Sequence, residues 1–279
     1  MSNLPQVGDF RERLGAHLRA SEVALLEPVD VEDSLGLLIS AGIDAKVTIL
    51  DPWYNKGIGG IREDYVEYIC GLLDLSSQVS EHVFLWGFPE VVARFVDRLP
   101  PRLELVAWLT WYYKNNPSVI RGWRSSQMAC LHLARDGHQL YPEHFLNDAQ
   151  LEKKAQGKLR YMPGPTSVIE AALLIGFVGR KEQTGHKAQK PVSVFKPLIE
   201  MTTKPGDLVF DPLAGSGTAG AAALATGRRA VLADHSAECV SIMRQRLEVE
   251  PVPIDQEFMR RPAPVESAVP RGAVAGGAA

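Results

Sequence analysis

No apolar stretch in the 279 residues approaches the roughly 18 uninterrupted residues that a membrane-spanning helix needs, which argues against a helical membrane protein. The N-terminal MSNLPQVGDFRERLGAHLRA alternates polar and apolar residues and lacks the apolar core and cleavage site of a secretory signal, so a cytoplasmic address is expected. Cysteine is scarce. Cys70, Cys130 and Cys239 are far apart and show no paired ligand spacing, which argues against a disulfide framework and a zinc cluster and leaves three reduced, buried thiols and no expected metal. No charge of one sign dominates either: 30 Lys and Arg stand against 33 Asp and Glu, so the net charge of -3 does not announce a nucleic-acid partner. The distribution is uneven, since Lys114 to Lys190 holds 12 basic against 6 acidic residues. Such an excess lines a face opposite phosphates or is simply a solvated surface.

With 46% hydrophobic and 23% charged residues, the chain has an ordinary globular composition, and its length suits one α/β domain with appendages. Leu26 to Gly42 reads as a lead-in helix, and Lys46 to Leu50 (KVTIL) as a buried parallel strand ending abruptly in Asp-Pro. Helices are expected over Arg62 to Val79 and Pro89 to Arg98, and strands over His82 to Trp86, Leu103 to Trp111, Met128 to Leu133 and Val168 to Phe177. Asp136 to Gly164 has scattered charge and weak periodicity, as an inserted loop would. Regular order returns with a helix over Val192 to Thr202, a strand over Asp207 to Phe210, a helix over Thr218 to Thr226, a strand over Arg229 to Ala233 and a helix over Ala237 to Leu247. This alternation favours an α/β fold, a mostly parallel sheet with helices on both faces. The domain reading is a lead-in over 1–25, a main domain over 26–247 with a loop-rich insert at about 136–185, and a mobile tail over 248–279 ending AVAGGAA.

The most informative run is Gly206 to Thr218, GDLVFDPLAGSGT, which joins a strand, an acidic residue at its exit, a Gly-rich turn and a helix start. Gly215 and Gly217 let the backbone approach a ligand without a Cβ in the way, and the helix N-terminus offers unpaired N–H groups. Downstream, RRAVLAD ends another strand in Asp234, placed as the acidic residue that accepts hydrogen bonds from ribose hydroxyls in nucleotide-binding folds. These features alone leave both a dinucleotide and S-adenosylmethionine open, and an NAD-linked oxidoreductase is one reading of the turn. FDPLAGSGT followed by GRRAVLADHSAECVSIMRQRL resembles the cofactor and acidic-strand motifs of amino-methylating DNA methyltransferases. HKAQKP, His186 to Pro191, resembles the segment that precedes them. The resemblance implies a Rossmann-like class I methyltransferase fold and S-adenosyl-L-methionine held by Asp211, Pro212, Ala214, Gly215, Ser216, Gly217, Thr218, Asp234, His235 and Lys190.

The second anchor is Asp51-Pro52-Trp53-Tyr54 at a strand exit. Methylating an aromatic amine is hard because the nitrogen lone pair is delocalised into the ring. Two acceptors aimed at the amine hydrogens, the Asp51 carboxylate and the Pro52 carbonyl, would draw it back, with no metal needed. A base must leave the duplex to reach such a pocket, and Tyr54 is the candidate stacking face. The tetrapeptide resembles the D/S/N-P-P-Y/F motif of the same family, matching at Asp51, Pro52 and Tyr54 and departing at Trp53, where proline is usual. Trp53 is read as a second apolar surface against the base, and Asn55, Lys56 and Gly57 continue the likeness toward the substrate or the cofactor carboxylate.

The catalytic motif precedes the cofactor motif, the circularly permuted order of the family's β group, which implies DNA as partner, a homodimer and a recognition region between the halves. The insert occupies that place, and Lys153, Lys154, Lys158 and Arg160 suit phosphate contacts. LTWYYKNNPSVIRGWRSSQMACLHLAR resembles the family's strand leading into a Lys-Asn-Asn-Pro loop, which puts Lys114, Asn115 and Asn116 near the DNA-facing edge. Trp111, Tyr112, Tyr113 and Trp123 are read mostly as packing residues, with stacking on bases as the alternative. Aspartate at the first catalytic position leans toward adenine over cytosine in this family. Against the methyltransferase reading stand the NAD-linked enzyme and a DNA-binding homologue without turnover, the latter prompted by Trp53.

Overall fold

The computed structural model describes residues 7–56, 60–117, 119–120 and 122–254. The first half runs helix α1 (Val7–Ser21), strand β1 (Val23–Leu26), helix α2 (Val31–Ser40), strand β2 (Ala45–Leu50), helix α3 (Tyr65–Val79), strand β3 (Ser80–Gly87), the single turn α4 (Pro89–Val92) and strand β4 (Glu104–Tyr112). A small hairpin of β5 (Val119–Ile120) and β6 (Trp123–Arg124) precedes β7 (Gln127–Ala134), α5 (Asp148–Ala155) and β8 (Val168–Glu170). The last third is α6 (Val192–Thr202), β9 (Leu208–Asp211), α7 (Thr218–Ala225), β10 (Arg229–Leu232), α8 (Ala237–Leu247) and β11 (Pro251–Val252).

Nine strands make one sheet in the order β11-β1-β10-β9-β2-β3-β7-β4-β8. Every neighbouring pair is parallel except those of β7, which runs antiparallel to both β3 and β4. Alternate strand residues enter two cores. Leu50, Leu85, Phe210 and Val231 pack with Leu35, Ile69 and Leu73 of α2 and α3. On the other face Ile49, Trp86, Val209 and Leu232 pack with Phe195, Ala219 and Met243 of α6, α7 and α8. Because both faces are covered, these strands read as continuous apolar runs rather than as alternation.

Three expectations change. The lead-in helix begins only at Val31, because Val23–Leu26 is a fully buried strand and Pro28 separates it from Asp30 at the helix N-cap. α1 also buries Phe10, Leu14 and Leu18 in the first core. The strand expected to reach Phe177 stops at Glu170, where side chains take over the backbone groups: Trp111 Nε1 donates to Ala171 O at 2.8 Å, and Asn115 exchanges hydrogen bonds of 2.8 and 2.9 Å with Leu173. Pro89 to Arg98 splits into α4 and a 3-10 turn. Of the expected tail, 255–279 lies outside the described residues, whereas Pro251–Val252 pairs with β1 and Ile254 N donates to Glu27 at 3.1 Å. Cys130 is buried, whereas Cys70 and Cys239 are half-buried. No helix among the described residues is long and apolar enough to cross a membrane.

Near the start of β3 and the end of the antiparallel β7, His82 and His132 meet in the sheet, His82 Nδ1 lying 3.1 Å from His132 Nε2 and His82 Nε2 3.0 Å from Gln139 O. A carbonyl only accepts, so neutral His82 donates through Nε2 and its Nδ1 accepts from His132. Burial depresses both rings, His82 to about 4 and His132 to about 3. Their folded values lie below the unfolded one, so this stability is present above about pH 6.5 and is lost progressively as the pH falls through the folded values. Urea midpoints at pH 7.5 and 5 should show that loss. His132→Gln, which keeps a donor and does not titrate, should lose less, and an unchanged pH dependence in the variant would contradict the assignment.

Candidate active site

β2 and β9 are parallel neighbours, with Val47 opposite Val209 and Thr48 opposite Phe210. From β9 the chain crosses through α7 to β10 on one side, and from β2 through α3 to β3 on the other. The order therefore reverses between β9 and β2, and at such a switch point the loops leaving the carboxyl ends diverge and open a crevice. Asp51 and the Gly-rich turn are the loops that flank it.

Asp51 follows the last residue of β2. Its Oδ1 accepts from the Tyr54 hydroxyl at 3.1 Å, and its Oδ2 pairs with the Lys190 ammonium. Lys190 Nζ also lies 3.2 Å from the Tyr54 oxygen and 5.4 Å from the Trp86 ring centroid. The Lys190 side chain is 2% exposed and that of Asp51 18%, so the pair is shielded from water. Burial, then the adjacent Asp51 carboxylate, pushes the Tyr54 hydroxyl well above its ordinary value and keeps it a donor. Pro52 is buried. Lys190, expected among the cofactor residues, thus turns its ammonium to the tetrapeptide, while its carbonyl accepts from Thr218 Oγ1 at 3.0 Å. One residue links the two loops.

The turn after β9 is held by hydrogen bonds of its own. Asp234 accepts from Gly215 N and Ser236 N, each at 2.9 Å, and Ala214 N donates to Ala233 O at 2.9 Å. Gly217 caps α7 in the left-handed region, φ 76°. Gly220 faces Leu232, whose Cδ1 would lie 2.6 Å from an added Cβ, so a larger residue there would force the leucine to shift. Asp211 is buried and accepts from Leu213 N at 3.1 Å. Burial pushes its carboxyl well above the usual range, offset in part by that N–H, with Asp51 and Asp234 adding to the rise. Below the turn Arg246 donates to Ser216 O at 3.0 Å and Thr218 Oγ1 at 3.1 Å and faces Glu182 at 3.5 Å. Nothing in MRQRL marks Arg246 from the sequence. Among the described residues no group of three or more His, Cys, Asp or Glu is arranged to hold a metal ion.

Residues 97–245, more than half of the chain, match the model of a family described as DNA methylase. The chain belongs to this amino-methyltransferase family. The DNA adenine methyltransferase YhdJ of Escherichia coli (strain K12) is 40% identical over 68 residues, 24% of this chain and 23% of that protein. The type II methyltransferase M.HpaI of Haemophilus parainfluenzae is 26% identical over 149 residues, 52% of this chain and 45% of the relative. The chain thus matches less than half the length of these curated relatives. Among solved structures, the M1.HpyAVI–SAM complex superposes with a TM-score of 0.63 at 15% identity, covering 81% of this chain and 100% of that one. PvuII DNA methyltransferase, described as cytosine-N4-specific, gives 0.56 at 15%, over 86% and 92%. At these identities the likeness is one of fold, the class I methyltransferase fold.

Several residues expected near substrate have partners within this methylase chain. Trp53 packs with the α3 core and Tyr54 with the other, although the Tyr54 ring also meets Phe88 of the first core edge-on at 4.8 Å. Trp53 therefore packs away from the core that Tyr54 faces. Asn55 holds the backbone of Arg62, and Lys56 pairs with Glu90. Lys114 pairs with Glu170 at 2.6 Å, Asn115 clasps Leu173, and Asn116 donates to Ser125 O at 2.8 Å, so all three tie loops together at this edge. His235 is exposed beside Asp234. Trp111 and Tyr113 are buried and Trp123 is 83% exposed. Gly57 lies outside the described residues.

Gly217→Ala should destabilise the protein by about 1–3 kcal/mol, because it puts a Cβ on a left-handed residue and 2.9 Å from Met243 Cγ. Urea unfolding checks this, and an unchanged midpoint would refute the strained cap.

Proposed function

We propose that the protein transfers a methyl group from S-adenosyl-L-methionine to the exocyclic amine of a base flipped from DNA, with adenine preferred. The observation that carries this reading is the Lys190 bridge, whose ammonium holds Asp51 and whose carbonyl holds Thr218 at the Gly-rich turn. The donor's parts fit the groups present. Each Asp234 oxygen takes one backbone N–H and keeps a lone pair for a ribose hydroxyl. The buried Asp211 carboxyl, raised by desolvation, would be favoured in its charged form by a cationic ligand group beside it. When bound, S-adenosylmethionine supplies an electrophilic methyl on a sulfonium.

The remaining work falls to this chain. An entering amine takes the place of the Tyr54 hydroxyl on Asp51 Oδ1 and gives its other hydrogen to the Pro52 carbonyl, which restores the lone pair to nitrogen. Tyr54, released from the carboxylate, offers its ring to the base. Lys190 stays on Oδ2 and keeps the carboxylate aimed. The Asp51 oxygen that grips the amine is also placed to accept the proton the methylated nitrogen must lose.

DNA is read as lying along the basic insert, where a groove of about 620 Å³ is lined by Lys153, Lys158, Arg160 and Tyr161, the last 75% exposed. A homodimer, from the β-group likeness, and a cytoplasmic address complete the proposal. Aspartate at the first catalytic position supports adenine, as does the name of the Escherichia coli relative, whereas the PvuII fold neighbour keeps cytosine-N4 as the second reading. Mass spectrometry of nucleosides from a methylated plasmid separates the two.

Asp51→Ala should bind S-adenosylmethionine normally and lose transfer by at least about a hundredfold. Near-normal transfer of labelled methyl to DNA would remove Asp51 from the mechanism. Asp234→Ala should weaken S-adenosylmethionine binding by about tenfold. In calorimetric titration, an unchanged Kd, or heat from a nicotinamide dinucleotide and none from S-adenosylmethionine, would overturn the cofactor assignment.

A further inference from the structure

The catalytic loop carries Trp53 where the methyltransferases it resembles have a second proline. Proline restrains such a loop by fixing φ, and tryptophan has no such effect. The start of α3 supplies a different restraint. The Trp53 ring sits edge-on to Tyr65 at 5.3 Å and tilted against Tyr68 at 5.8 Å. The Tyr65 hydroxyl donates to the Trp53 carbonyl at 2.6 Å. Tyr65 is 1% exposed and braced against Phe95 at 6.3 Å, so the core sets the position of that hydroxyl and the loop conforms to it. The indole Nε1 of Trp53 is buried without a partner, so the ring is placed by packing and not by a hydrogen bond of its own. Two residues on, Asn55 adopts a left-handed conformation, φ 54°, and bonds to Arg62 N at 2.6 Å and Arg62 O at 2.9 Å. The Arg62 guanidinium lies 3.8 Å from the Tyr68 ring centroid.

We propose that Tyr65 is a positioning residue of the active site, and that its hydrogen bond to Trp53, with the packing of the Trp53 ring, replaces a rigid proline as the restraint that aims the Pro52 carbonyl and the Asp51 carboxylate. Peptide groups move as planes, so the two that flank the Trp53 Cα are the units to be held. The one after it is held by the Tyr65 hydroxyl. The one before it carries the Pro52 carbonyl, and the packing of the half-buried indole limits its rotation. The face assignment fits this division: Trp53 anchors the loop on the α3 side while Tyr54 remains on the cleft side.

The inference rests on the methyl-transfer reading, and its test uses the full chain with Tyr65→Phe, Trp53→Ala and Trp53→Pro, each first shown to melt cooperatively. Amide hydrogen exchange over residues 51–56 should speed up in Tyr65→Phe and Trp53→Ala. In steady-state transfer to DNA, kcat should fall about tenfold to a hundredfold in both, with KM for DNA and Kd for S-adenosylmethionine within about twofold of the parent. Trp53→Pro should recover most of the kcat lost in Trp53→Ala, because the ring of proline restores the backbone restraint. Parental exchange and parental kcat in Tyr65→Phe would overturn the proposal. So would a raised KM for DNA in both Trp53 variants with Tyr65→Phe unaffected, the pattern of a tryptophan that stacks on the base. If the parent protein transfers no methyl to DNA, the functional reading fails, and the exchange measurement still decides whether the restraint exists.

Discussion

The structure depends on the parallel pairing of β2 with β9. These strands are about 160 residues apart in the chain, yet their register puts Thr48 beside Phe210 and so delivers Asp51 and the Asp211 turn to the same edge. Parallel neighbours need a crossover, and here the crossovers leave β2 and β9 in opposite directions. Two sequence-distant loops therefore share one crevice without any element dedicated to joining them. The permuted order of the motifs changes which half is made first and leaves this geometry intact.

Within the crevice the central interaction is the shielded pair of Lys190 and Asp51. An ion pair out of water is stable only when its remaining hydrogen-bonding capacity is met. Tyr54 donates to the other carboxylate oxygen, and the Trp86 ring faces the ammonium. The resting site is thus internally satisfied. In the proposed reaction an entering amine takes the place of the Tyr54 hydroxyl while Lys190 keeps the carboxylate oriented. The backbone of Lys190 accepts from Thr218, which in turn accepts from Arg246. The Gly-rich turn and the Asp51 carboxylate are therefore fixed to the same residue from opposite ends.

The elements that position the site were readable because they are strongly patterned. The α6 and α8 boundaries coincide with the expected ones, and the apolar runs of β2, β3, β9 and β10 are recovered to within two residues. Failures came where the pattern is degenerate. Val23–Leu26 is a short, wholly apolar run, which periodicity cannot tell from a helix start. The end of β8 is decided by Trp111 and Asn115, which lie over 50 residues upstream. At the site, the types of Asp51, Tyr54, Asp211 and Asp234 and their places at strand exits were legible, but side-chain direction was not. Lys190 adjoins the cofactor motif in sequence and reaches the other loop in space. Trp53 and Tyr54 lie in the loop beyond β2, where no periodicity tells which core each will face. Arg246 and Tyr65 were not legible either, since each reads as an ordinary helix residue until the fold brings its partner near.

The most direct test of the shared crevice is a crystal structure of the protein with S-adenosylmethionine. The expected result is a donor seated on the Gly215 to Thr218 turn, its ribose at Asp234 and its methyl directed into the space between Asp51 and Tyr54. A donor bound at that turn with its methyl pointing away from Asp51, or bound elsewhere on the molecule, would contradict it.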